Sequence, residues 1–346
     1  MTLKVLTVLA GASVGGAETF FVSLTTALAR AGLDVRSVMK ANRGREAALS
    51  AGRVQYHTAP FRSVLDFSTG AVLRRSVETF RPDIVLAFAG RAASFLPSGP
   101  HVRIGRLGGY YNLKNFRRCD HLVCNAPDLV RYVTDGGWPK ERVSLIPNFP
   151  ALTDGPKIDR AAFGTPEDAP LALALGRLHP AKGLDILIRA AAAVPGLYVW
   201  IAGEGAEREI LQRMTEELGL AARVKFLGWR NDRASLFKTA DLCVYPSREE
   251  PFGNVVVEAW ACGTPLVTTA STGPRWLVRD GEDALMTPVD DVDALAGAIR
   301  RLIASPDLRA SLAAAGRRRV PEEFSEPAII ARYVDLFASV TGKDAR

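Results

Sequence analysis

The chain has 346 residues, 48% of them hydrophobic and 23% charged, which bounds it as a globular protein long enough for two α/β domains of roughly 150 residues each. No stretch reaches the roughly 18–20 uninterrupted apolar residues of a membrane span, and the start Met1-Thr2-Leu3-Lys4 lacks the regions of a signal peptide. Net charge is +7 but uneven: residues 1–150 carry 20 Lys+Arg against 10 Asp+Glu, the remainder 24 against 27.

In chain order, Leu3–Leu9 reads as a buried strand, followed by a glycine-rich turn from Gly11 to Gly16. From Ala17 the apolar spacing becomes helical, with Phe20, Phe21, Leu24 and Leu28 three to four residues apart. Val35–Met39 reads as a strand, Ala71–Phe80 as a helix closed by Arg81-Pro82, and Asp83–Phe88 as another strand. Pro147, Pro150, Pro156, Pro166 and Pro170 then interrupt the pattern, and this stretch reads as an interdomain linker. The alternation restarts with strands at 171–175, 197–202 and 224–227 and helices at 184–194 and 207–218. Short strands at 242–245 and 265–269 flank a helix near 255–262. After the basic run Arg317-Arg318-Arg319 comes a terminal helix from about Pro327 to Val340. This order predicts an α/β protein of two successive doubly wound parallel sheets, with domains at 1–150 and 151–326 and a closing segment at 327–346.

Cys119, Cys124, Cys243 and Cys262 form no CxxC pair and only four His occur, so no metal site is expected and the thiols read as reduced and mostly buried. Three constellations carry chemistry. Gly15-Gly16-Ala17-Glu18 opens the first helix, where free N–H groups can meet an anion; the spacing is not GxGxxG, and a tight structural turn fits as well. Gly176-Arg177-Leu178-His179-Pro180-Ala181-Lys182-Gly183 leaves the first strand of the second half, at the strand end where open α/β sheets take ligands. Arg177 and Lys182 can straddle a diphosphate there, Arg by forked hydrogen bonds and Lys as a point charge. Finally, Glu250 and Glu258 bracket Pro251-Phe252-Gly253-Asn254, with Glu258 on the following helix. Such carboxylates suit the hydroxyls of a sugar or ribose.

These residues resemble the retaining glycosyltransferases of GT-B family 4 (glycosyltransferase group 1), whose members carry E-x7-E, a Gly-Arg…Lys-Gly diphosphate loop and an early Gly-Gly-Ala-Glu. The resemblance runs over nearly the whole chain in the family's order and includes Ile201-Ala202-Gly203-Glu204-Gly205 and Val224-Lys225-Phe226-Leu227-Gly228. It implies two Rossmann-like doubly wound domains facing across a cleft, with the terminal helix crossing back to the first. Arg177 and Lys182 would hold the donor's phosphates and Glu258 its ribose. Glu250 would hold the donor sugar together with backbone N–H groups of Phe252, Gly253 and Asn254. The backbone of Trp229 and Arg230 would meet the base, and Gly15 and Gly16 would approach the phosphate. The implied reaction moves a sugar from a UDP- or GDP-sugar to a hydroxyl of a glycolipid or lipopolysaccharide-type envelope acceptor, with retained configuration and neither metal nor cofactor.

The sequence departs from the family where a first-domain histidine often sits: here it reads Ile104-Gly105-Arg106-Leu107-Gly108-Gly109, which leaves Arg106 as the candidate. Trp276 replaces a common Glu, so donor preference does not transfer. Tyr110-Tyr111-Asn112-Leu113-Lys114-Asn115-Phe116-Arg117-Arg118 interleaves aromatics and cations. Tyr110, Lys114, Arg117 and Arg118 are therefore candidates for an acceptor or an anionic membrane surface, while a packed helix with a solvated basic face is the plainer reading. No nucleic acid is expected as a partner, and the expected location is the cytoplasm, peripheral at the inner face of the membrane. A sugar-nucleotide 2-epimerase of the same fold and a non-catalytic nucleotide-binding protein are the alternatives.

Overall fold

A computed structural model describes residues 2–12, 15–62 and 66–343. The turn expected at Gly11–Gly16 includes residues 13 and 14, and the closing segment residues 344–346, all of which lie outside the described residues. The chain divides into two units: residues through Ala151 together with those from Glu326 onward, and Leu152–Ser325.

The first unit holds strands β1 (Lys4–Leu9), β2 (Asp34–Met39), β3 (Gln55–Thr58), β4 (Ile84–Phe88), β5 (Val102–Leu107), β6 (His121–Cys124) and β7 (Val143–Leu145). Its helices are α1 (Gly16–Arg30), α2 (Arg43–Ala51), α3 (Phe67–Phe80), α4 (Ala89–Ser94) and α5 (Pro127–Asp135). The strands form one parallel sheet in the order β3-β2-β1-β4-β5-β6-β7. Val5, Leu6, Val8 and Leu9 are all buried, and so is every residue of β4. Such unbroken apolar runs belong to strands covered on both faces, which parallel sheets require.

The second unit holds β8 (Leu171–Leu175), β9 (Tyr198–Ala202), β10 (Val224–Gly228), β11 (Leu242–Tyr245), β12 (Leu266–Thr269) and β13 (Leu285–Thr287). Around them lie α6 (Leu184–Ala192), α7 (Arg208–Glu217), α8 (Arg233–Thr239), α9 (Asn254–Cys262), α10 (Thr272–Leu277), α11 (Val292–Ala304) and α12 (Pro306–Arg319). The strand order is β10-β9-β8-β11-β12-β13, again parallel. The chain starts in the middle of the sheet, runs to one edge, then returns to β11 beside β8. That reversal makes the carboxyl ends of β8 and β11 the topological switch point.

The last helix, α13 (Glu326–Thr341), belongs to the first unit. Ile329, Tyr333 and Phe337 recur at four-residue spacing and share a core with Phe20, Phe21 and Leu24 of α1. The expected linker is more ordered than its prolines suggest. Arg160 is buried, donates to the carbonyls of Glu167, Ala169 and Thr239, and pairs with Asp241 at 3.1 Å. Those bonds attach the stretch to the second unit. No helix among the described residues is long and apolar enough to cross a membrane.

Candidate active site

In the second unit, β8 ends at Leu175 and hands the chain to Gly176-Arg177, then to a 3-10 turn over Pro180–Lys182. His179 caps that turn, its ring nitrogen accepting from the Ala181 N–H at 3.2 Å. Gly183 follows at φ 61, and a Cβ there would stand 2.1 Å from the Pro246 carbonyl oxygen. Only glycine lets the loop after β8 lie this close to the loop after β11.

Contact between the two loops brings the charged candidates together. Lys182 Nζ meets Glu250 Oε2 at 2.5 Å, with side chains only 20% and 14% exposed. Tyr245, the last residue of β11, donates its hydroxyl to the same carboxylate, and Lys182 lies over its ring at 5.7 Å. Burial, and then the neighbouring Glu250 charge, push the Tyr245 phenol well above its usual range, so it stays a hydrogen-bond donor.

Arg248 holds the arrangement from behind. It donates to the Pro180 carbonyl at 2.7 Å and to both carboxylate oxygens of Asp185, in the first turn of α6, at 2.8 and 2.7 Å. It also donates to Asp290 at 2.5 Å, while its own N–H donates to the Ala181 carbonyl at 2.9 Å. Hydrogen bonding to Asp185 raises the Arg248 pKa against the opposing effect of burial. Sequence reasoning missed both Tyr245 and Arg248. The one available signal was their place at the carboxyl end of a strand, because Asp185 and Asp290 lie far from Arg248 in sequence.

Past Glu250 the chain turns through buried Phe252 and Gly253 (φ 103) into the N-terminus of α9. Gly273 at the start of α10 donates its N–H to the Glu250 carbonyl at 2.7 Å, and a Cβ on it would stand 2.2 Å from the Phe252 carbonyl oxygen. Glu258 follows one turn into α9 and is buried. Its Oε1 accepts from Arg233 of α8 at 2.5 Å, and its Oε2 is buried with no hydrogen-bond partner among the described residues. Desolvation raises its pKa, and Arg233 offsets part of that rise. A buried carboxylate oxygen left without a donor is costly and marks a position that a hydroxyl could complete.

Arg177 sits on the same loop as Lys182, exposed and without an ion pair among the described residues. Trp229 is 42% exposed just after β10, and Arg230 pairs with Asp232 at 2.5 Å. The structure thus joins Lys182 directly to Glu250, with Arg177 on the same loop, whereas Trp229 and Arg230 follow β10, two strands away from β8.

Comparison with known proteins decides the family. Residues 14–150 match Glycosyltransferase Family 4 and residues 157–319 match Glycosyl transferases group 1. Two lipopolysaccharide core biosynthesis glycosyltransferases of Rhizobium meliloti (strain 1021) are similar throughout. LpsE is 38% identical over 94% of this chain and 96% of its own length, and LpsD 38% over 93% and 95%. The chain is a GT-B glycosyltransferase of this family. Its fold matches that of Anabaena Alr3699/HepE, solved with UDP-glucose, at a TM-score of 0.85 and 22% identity, covering 97% of this chain and 100% of the other.

In the first unit of the enzyme, Gly15 and Gly16 open α1, and the Glu18 carboxylate folds back to accept from the Ala12 N–H at 2.8 Å. Arg106, the candidate where the family often has a first-domain histidine and grouped with the acceptor or membrane candidates, is buried at 3% exposure. It donates to the Tyr333 hydroxyl at 3.1 Å and to Asn148, and it lies over the Phe20 ring at 4.3 Å. Its place on an interior strand between α1 and α13 takes it away from the surface. The segment from Tyr110 to Arg118 is not a packed helix but a loop around a single 3-10 turn, Leu113–Phe116. Tyr110, half exposed, donates to Asp128, and Lys114, Arg117 and Arg118 are exposed.

Proposed function

We propose that the enzyme transfers a sugar from a UDP-sugar, with a GDP-sugar as the second choice, to a hydroxyl of a lipopolysaccharide-type glycolipid, retaining anomeric configuration and using no metal. The observation that carries this is the Lys182–Glu250 pair, a cation and a carboxylate delivered to one point by loops leaving adjacent strands at the switch point. The solved relative's UDP-glucose and the names of LpsE and LpsD support the donor and acceptor classes.

In this reading the donor diphosphate takes Lys182 from Glu250 and adds Arg177 as a second, forked contact. Glu250, released, accepts hydroxyls of the donor sugar beside the N–H groups of Phe252, Gly253 and Asn254, while Glu258 Oε2 accepts from the ribose. The main chain at Trp229 and Arg230 meets the base, and the resemblance alone assigns Gly15 and Gly16 to the phosphates. As the bond from the anomeric carbon to the diphosphate oxygen breaks, the acceptor oxygen bonds to the same face and its proton passes to the leaving phosphate. Charge grows on that phosphate, and preorganised cations aimed there lower the barrier. Reaction takes place in the cytoplasm, at the inner membrane face where such acceptors are built.

Lys182→Ala tests the assignment. Turnover should fall about 10²–10³-fold while the melting temperature changes by only a few degrees; unchanged turnover would overturn the role of Lys182. Chelation by EDTA should leave the rate intact, and NMR of the product should show the donor's anomeric configuration.

A further inference from the structure

The first unit holds a concentration of charge that the donor reading leaves unused. A cavity of about 560 Å³ opens beside α3, α4 and the turn at Leu113–Phe116, in segments that leave the carboxyl ends of β3, β4 and β5. Its lining contains Arg74, Arg91, Lys114, Arg117 and Arg118, and one carboxylate, Asp66. That carboxylate is engaged elsewhere. It accepts from the N–H groups of Arg62 and Thr69 at 2.8 and 3.1 Å and from the hydroxyls of Ser68 and Thr69 at 2.5 and 2.7 Å, and these bonds cap α3. None of the five cations forms an ion pair among the described residues, and all five are exposed.

Like charges gathered around one concavity repel, and the single carboxylate, Asp66, offsets only one of the five. Arg91 also lines an adjoining hollow of about 580 Å³ with Lys40 and Arg62, so the basic wall continues past the first cavity. Two non-glycine residues flank this wall in the left-handed region, Phe61 at φ 49 and Ala89 at φ 63. Ala89 turns the chain straight from β4 into α4 and so aims Arg91; backbone held in this region concentrates at functional sites. Apolar surface completes the lining: Phe67, 81% exposed, with Phe95 and Pro97. Guanidinium forks match phosphate and carboxylate, and an exposed aromatic beside them suits the C–H face of a sugar ring rather than a bare ion.

We propose that this cavity is an anion subsite for the acceptor, holding a phosphate or carboxylate carried by an acceptor sugar whose ring lies against Phe67. The proposal deepens the acceptor reading given above and rests on it.

Calorimetric titration of the full chain with glucose 6-phosphate, galacturonic acid and glucose tests it, together with the K114Q/R117Q double variant. Both anionic sugars should bind and glucose should not, and the double variant should weaken them by about tenfold or more. The UDP-induced rise in melting temperature should be the same in both proteins. Equal binding of glucose, or undiminished binding by the variant, overturns the subsite. Inorganic phosphate binding as tightly as glucose 6-phosphate overturns the sugar part. If the sugar titrations are flat but the variant loses binding to phosphatidylglycerol vesicles, the surface meets lipid and the proposal fails. Absence of a UDP shift in both proteins would instead count against the donor site, leaving the sugar titrations to judge this one.

Discussion

Glu258 shows the cost of burying a carboxylate. Its carboxylate is buried with one oxygen paired to Arg233 and the other without a donor among the described residues, and burial raises its pKa. The folded enzyme therefore holds that proton more tightly than the unfolded chain does. Folding stability from this group is greatest below the unfolded pKa and declines as pH rises through the folded one. Glu258→Gln should melt close to wild type at acid pH and match or exceed it near pH 8, while the donor KM rises. A variant that melts progressively lower than wild type as pH rises would show that the ion pair outweighs its desolvation. Glu250 and Glu258 were legible as candidates from their spacing and the family resemblance. Arg233 and Arg248 were not, because an ion pair between residues distant in sequence leaves no local pattern.

At the scale of elements, the site depends on two loops locked to each other. Gly183→Ala would force a Cβ into the Pro246 carbonyl at a backbone angle that suits glycine. It should destabilise the enzyme by about 2–4 kcal/mol in urea denaturation. Arg248→Ala removes the bonds to Asp185, Asp290 and Pro180 that brace the same junction. Its side chain is one-quarter exposed, so the expected loss is modest, about 1–2 kcal/mol, or a few degrees of melting temperature. Turnover should fall by more than that loss explains, since Glu250 follows two residues later; unchanged turnover would make Arg248 a purely structural brace. Element legibility follows the length of the apolar run: interior His121–Cys124, buried throughout but only four residues long, was not read. The continuous apolar runs of β1, β4 and β8 announced themselves, and Leu171–Leu175 was read to the residue. Gln55–Thr58 and Val143–Leu145 were not read, because edge strands carry polar, partly exposed residues with no apolar run. The loop at Tyr110–Arg118 misled for a related reason: its aromatics and cations fit a helix face equally well, and only the bonding around Asn112 and Phe116 fixes the single turn.

For the whole molecule, the separation of the chain into two units gives a simple test of independence. Removing residues 326–346 takes Ile329, Ile330, Tyr333, Leu336 and Phe337 out of the first core and deprives buried Arg106 of the Tyr333 hydroxyl. The truncated protein should lose its first-unit melting transition, while UDP still stabilises the second unit. Two undiminished transitions in a calorimetric scan would show that α13 is dispensable.

That same helix fixes an order of events during synthesis. The core that contains β1 is closed by α13, so Leu152–Ser325 has all its residues while Phe20, Phe21 and Leu24 still wait for that covering. A nascent chain stalled before α13 would present that apolar face to every collision, and the first unit is completed only after the second.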